Sequence, residues 1–157
     1  MSLDTATASR ALHRPAGTGE HFSGPGDVYR FLATGEETGG AYFVMEAIVP
    51  PGGGPPPHIH GHEDETFYVV EGRCTIRLGD EVVTAATGDY VHVPRGVVHN
   101  FHNDGDEPMR MILTFTPAGI EHFFEETLER GATPGDVEPI ARRYADAAPR
   151  YGMTFLV

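Results

Sequence analysis

From Asp27 onward, apolar runs of four to eight residues recur between Gly, Pro and Asp punctuation: "AYFVMEAIVP", "TFYVVEG", "CTIRLGDEVVTAA", "YVHVPRG", "VVHNFHN" and "MRMILTFTP". Pieces of this length and spacing are strand-sized and predict an antiparallel sandwich or barrel. The 20 Gly and 13 Pro supply the tight turns such an architecture needs and suit long helices poorly. At 157 residues one domain with a proper core is expected.

Period two assigns the faces of several runs. Phe43, Met45, Ala47 and Val49 form a wholly apolar series, whereas the alternate series contains Glu46. Cys74, Ile76 and Leu78 share one face, with Arg73, Thr75 and Arg77 on the other, and Gly79-Asp80 reads as a two-residue hairpin turn. Met109, Met111, Leu113 and Phe115 point away from Arg110. Cys74 is therefore read as a small core residue, because no activating neighbour for a thiolate is visible.

The two ends differ from the middle. Residues 1–25 are polar and aperiodic and are expected to form a loose or peripherally docked arm, with the barrel over 26–116 and helices and a tail packed on it over 117–157. In "GIEHFFEETLERG", Ile120, Phe123, Phe124 and Leu128 recur at helical spacing, with Gly131 as a stop. A second helix is expected from an N-cap at Asp136, with Val137, Ile140, Ala141 and Tyr144 on one face. "YGMTFLV" is expected to add a short final strand.

Charge narrows the partners. The net charge is −12, and no Lys/Arg cluster is present that could neutralise a run of phosphates, so nucleic acid is not expected as a partner. No stretch approaches the roughly 18 apolar residues of a membrane span. One cysteine leaves no internal disulfide, and the first residues lack a secretory apolar region, so a cytoplasmic protein is expected.

The chemistry concentrates in "PPPHIHGHEDETFYVVEG". His58 and His60 are two apart, so on a strand they point the same way, with Cα atoms about 6.6 Å apart. Both imidazoles then reach one ion at about 2.0–2.2 Å. Glu65 lies an odd number of residues further and would face the other way on an unbroken strand. A break at Gly61 and the following "HED" turns Glu65, Phe67 and Val69 inward. Two histidines and a carboxylate match the donor set of non-haem iron enzymes. Further along, Pro94 fixes φ and Gly96 permits a positive one, so a tight turn delivers His99 to the next strand. His62 is read as solvent-exposed or behind the ligands, His102 as outward-facing, Glu63 and Asp64 as solvated turn residues, and Asn103 as bonding a turn backbone.

These residues resemble the two motifs of the cupin superfamily. Gly52, His58, His60, Glu65 and Gly72 match the first, and Gly88, Pro94, Gly96, His99 and Asn103 the second. The chain looks most like the quercetin-dioxygenase-like cupins, over roughly residues 35 to 130. The resemblance implies an all-β, double-stranded β-helix of the jelly-roll type with C-terminal helices. It also implies one divalent transition metal held by His58, His60, Glu65 and His99, of an identity (Fe, Mn, Ni, Co, Cu or Zn) that this donor set leaves open.

The expected activity is that of a dioxygenase or oxygenase acting on a phenol, enol or diketone bound to the metal, with O2 as co-substrate and Glu65 as catalytic base. The expected substrate pocket is Phe43, Met45, Phe67, Val69, Cys74, Ile76, Met111 and Leu113, an apolar wall. Arg73, Arg77 and Arg110 face outward, which argues against a phosphosugar. The alternatives are a Lewis-acid isomerase, lyase or polyketide-type cyclase, and a non-catalytic small-molecule-binding protein. A homodimer is expected by analogy with other cupins.

Overall fold

The computed structural model describes residues 10–136 and 139–156. Residues 1–9 of the expected arm, and Val137 of the expected second helix, lie outside the described residues. Along the chain run β1 (His21–Ser23), β2 (Val28–Ala33), α1 (Gly35–Thr38), β3 (Phe43–Val49), β4 (His58–His60), β5 (Asp64–Glu71), β6 (Arg73–Leu78) and β7 (Glu81–Ala86). There follow β8 (Tyr90–Val93), β9 (His99–His102), β10 (Met109–Thr116), α2 (Glu121–Thr127), β11 (Glu129–Arg130), α3 (Ala141–Ala147) and β12 (Met153–Phe155).

Two antiparallel sheets face each other. One has seven strands in the order β11-β1-β2-β3-β10-β5-β8 and the other five in the order β12-β4-β9-β6-β7. From β4 to β10 the chain crosses repeatedly between them, which is the jelly-roll solution for closing short strands around one core. The inward series are those that period two assigns: Phe43, Met45, Ala47 and Val49 on β3, Cys74 and Ile76 on β6, and Met109, Met111, Leu113 and Phe115 on β10 are all buried. Gly79-Asp80 makes the two-residue turn, with Leu78 opposite Glu81.

Two expectations about the ends are corrected. The arm is not loose as far as residue 25, because β1 pairs with β2 and β11 and Phe22 is buried in the core against Phe31, at a centroid distance of 4.6 Å. Hydrophobic burial of one phenyl ring outweighs the polar composition around it. The second helix does not begin at Asp136. Among the described residues it starts at Ala141, with Ile140 at the N-cap position making no side-chain cap hydrogen bond, and Asp136 instead ends a 3-10 turn over Pro134–Asp136. Ala141, expected on the packed face, is exposed. The first C-terminal helix matches its pattern, with Ile120, Phe123, Phe124 and Leu128 buried, and β12 pairs with β4 as the final strand. Among the described residues no helix is long and apolar enough to cross a membrane.

Candidate metal centre

The break in front of Glu65 is a change of sheet. β4 belongs to the five-stranded sheet and β5 to the seven-stranded one, so residues 61–63 cross the gap between the layers. Gly61 N–H donates to Gly152 O at 2.8 Å, and Gly96 N–H donates to His60 O at 2.9 Å, which ties both sides of the crossing. Gly96 has φ of 85°, a value that favours glycine, and the turn it closes sets His99 at the first position of β9. There His99 lies directly opposite His58 in the β4/β9 register. His58 and His60 come from one sheet face, Glu65 from the facing sheet, and the three imidazoles and the carboxylate meet between the layers.

One ligating atom from each of His58, His60, Glu65 and His99 falls within 4.8 Å of all the others, and all four side chains are buried. Glu65 Oε2 is 2.7 Å from His99 Nε2 and 3.2 Å from His60 Nε2. His58 Nδ1 donates to Pro56 O at 2.9 Å, and His99 Nδ1 donates to Val97 O at 2.9 Å. A carbonyl only accepts, so each of these Nδ1 atoms carries the proton. A neutral His99 therefore points a lone pair at Glu65 Oε2, and two acceptors at 2.7 Å need a proton or a cation between them. The donor set fits a divalent transition metal: neutral imidazoles and one carboxylate, oriented by outer hydrogen bonds.

Charges in the cluster follow from its burial. Burial, with repulsion from His60 and His99, pushes His58 down to about 3, so it is a neutral donor at any ordinary pH. Burial also opposes the charge of His60, but Glu63 and Glu65 outweigh it and raise this imidazole to about 9. Glu65 is likewise opposed by burial and brought down to about 2 by His60 and His99. Without a cation, the site holds its carboxylate negative by keeping a proton on the neighbouring histidine.

Glu63, expected as a solvated turn residue, is buried at 5% exposure. Its Oε2 stands 3.6 Å from His60 Nδ1, and neither atom has a hydrogen-bond partner among the described residues. His58 and His99 are oriented by backbone carbonyls, whereas His60 Nδ1 faces this carboxylate without a hydrogen bond. A crossing of only three residues between two sheets is the signal in the sequence that one of them must dip inward. Asp64 starts β5 and accepts from Arg95 N–H and Nε–H. His62, His92 and His102 are exposed. Asn103 donates to Val49 O and Glu107 O and accepts from Gly105 N–H, the turn role expected of it.

The expected pocket needs correction. The cavity at the cluster holds about 40 Å³ and touches Met45 and Leu113, but not Phe43, Phe67, Val69, Cys74, Ile76 or Met111. Those six side chains are buried between the sheets without lining the cavity, although Phe43 stands opposite Phe115 and Phe67 opposite Leu113 in the strand registers, because period two gives a residue's face and not which neighbour screens it. Cys74 packs 4.0 Å from Met111 Sδ, and burial pushes its thiol up to about 11. Sequence reasoning missed Phe115, Phe123, Phe124, Tyr144, Met153 and Phe155, which close the cavity from β10 and the C-terminal elements. Five of these come from segments whose helical spacing or tail position reads as outer packing.

Comparison with known proteins is consistent with this architecture. The family model described as "Cupin domain" matches residues 45–116. Quercetin 2,3-dioxygenase of Bacillus subtilis (strain 168) is 28% identical over 109 residues, 69% of this chain and 32% of that protein. Polyketide synthase CurC of Streptomyces cyaneus is 35% identical over 75 residues, 48% of this chain and 49% of that protein. The chain thus spans about a third to a half of the length of these curated relatives. Among solved structures, KdgF from Halomonas sp. superposes with a TM-score of 0.63 at 18% identity, over 72% of this chain and 98% of that one, a likeness of fold.

Proposed function

The chain belongs to the cupin superfamily, and on that footing we propose that it is a mononuclear divalent-metal oxygenase acting on a small hydrophobic phenol, enol or diketone. The observation that carries this reading is the convergence of His58, His60, Glu65 and His99, with His99 Nε2 2.7 Å from Glu65 Oε2, beside a cavity walled otherwise mainly by aromatic and aliphatic side chains. His58, His60, Glu65 and His99 would hold the ion. Bound there, a redox-active ion supplies Lewis acidity and electron transfer towards O2.

The remaining work falls to the chain itself. Phe115, Phe123 and Phe124 exclude water from the cavity, which strengthens every charge interaction inside it. His58 and His99 are held in one tautomer by Pro56 and Val97, so no reorientation is needed. Glu65 is the only carboxylate in the cavity wall among the described residues. Released from the ion, Glu65 would be the group placed to take the proton of a substrate hydroxyl. Similarity to an enzyme named quercetin 2,3-dioxygenase supports an aromatic hydroxylated substrate.

A second reading keeps the site and drops oxygen: a Lewis-acid isomerase, lyase or cyclase, favoured by the likeness to a protein named as a polyketide synthase. Turnover of a panel of phenols and diketones, with and without O2, separates them. The oxygenase reading expects substrate loss only in air, matched by oxygen uptake. Equal turnover under nitrogen would replace it with the second reading.

A further inference from the structure

The cavity at His58, His60 and Glu65, about 40 Å³, is far below the several hundred Å³ of a typical organic-ligand site. A much larger cleft of about 650 Å³ adjoins it, and Tyr29, Pro55, Tyr144 and Phe155 belong to the walls of both. One side of the cleft is the loop between β3 and β4, where prolines present flat apolar rings and Gly52–Gly54 carry no side chains. The other side is α3, with Ile140, Ala141, Tyr144 and Ala145. Tyr144 and Phe155 stack at the boundary, with ring centroids 5.8 Å apart and planes 20° from parallel.

The cleft has one carboxylate and no Lys, Arg or His in its wall among the described residues. Asp27 Oδ2 accepts from the Tyr29 hydroxyl at 2.9 Å, while its Oδ1 takes no hydrogen bond among the described residues. Burial raises the Asp27 carboxyl. An anionic ligand such as a dicarboxylate or a sugar phosphate would meet no compensating cation here, and desolvating it would cost several kcal/mol.

We propose that this cleft is the binding site for the body of a neutral, flat, hydroxylated aromatic ligand, which donates a hydroxyl hydrogen bond to Asp27 Oδ1 and extends one edge past Tyr29, Tyr144 and Phe155 towards the metal donors. This deepens the proposed function and rests on it in taking the cleft as the entrance to the metal cavity. Specificity then has two parts. The cleft selects a neutral planar scaffold, and the inner cavity admits only its reacting edge.

The test uses the full chain, stripped of metal with a chelator and titrated calorimetrically with a hydroxylated flavone, its fully methylated ether, and oxalate. The expected result is flavone binding by the metal-free wild type that is unchanged in Arg142→Ala, an exposed position outside the cleft wall. Ala145→Arg, at an exposed position on α3, is expected to weaken it by about tenfold or more through steric filling of the cleft. Asp27→Asn is expected to weaken the hydroxylated flavone by roughly three- to tenfold and to leave the ether unchanged. Oxalate is expected not to bind. No flavone binding, or binding unchanged in both cleft variants, would overturn the proposal. The two readings fail separately: flavone bound in the cleft without oxygen-dependent turnover sinks the oxygenase, whereas unchanged kcat/KM in Ala145→Arg sinks the cleft.

Discussion

Glu65 Oε2 and His99 Nε2 stand 2.7 Å apart although they lie on strands of opposite sheets, 34 residues apart in the sequence. The contact joins the two layers of the barrel at its polar centre, with Phe67 and His99 packed edge to face at 6.2 Å just beneath it. Burying three imidazoles and a carboxylate is costly unless a cation or proton neutralises them. The stability of the barrel and the occupancy of its centre are therefore linked.

That linkage has a sign. His60, raised to about 9 from 6.5, contributes stability that is complete below 6.5 and is lost as pH rises through 9. His58, lowered to about 3, contributes stability that is complete above 6.5 and is lost as pH falls towards 3. The metal-free protein should melt highest near pH 6.5. A bound metal needs His60 neutral, so the gain in melting temperature on adding metal should widen between pH 6.5 and 9. Thermal melts across that range, with and without metal, check both statements.

Glu63 should matter through His60. In Glu63→Gln the side chain keeps its size, the fold stays, and the negative charge facing His60 Nδ1 is lost. Outer partners of this kind are worth about 10- to 100-fold in metal affinity. A competition titration against a chromophoric chelator should find a loss in that range with an unchanged circular dichroism spectrum.

Phe115 serves both the core and the cavity. It is 1% exposed and lies 5.7 Å from Phe43, 6.0 Å from Phe124 and 5.6 Å from His60. Phe115→Ala should cost about 3–5 kcal/mol, read as a lower denaturant midpoint at unchanged slope. The same change enlarges the inner cavity.

The four donors were legible because their spacing is a local property. Alternation on one strand aligns His58 with His60, and Pro94 with Gly96 prescribes the turn before His99. The strand faces were legible for the same reason. The cavity wall was not, since its depth in the barrel depends on which strands pair and on where Phe123, Phe124 and Tyr144 dock. Glu63 escaped because a short polar "HED" reads as a solvated turn until the crossing between sheets is seen. The N-cap signal at Asp136 misleads, because Asp136 closes a 3-10 turn and α3 starts only at Ala141.

The account stands or falls on the centre itself. Elemental analysis of the purified protein, set beside His58→Ala with His99→Ala, measures the ion per chain directly. The account predicts about one divalent transition metal per wild-type chain and almost none in the folded double variant. The same metal content in both would contradict it.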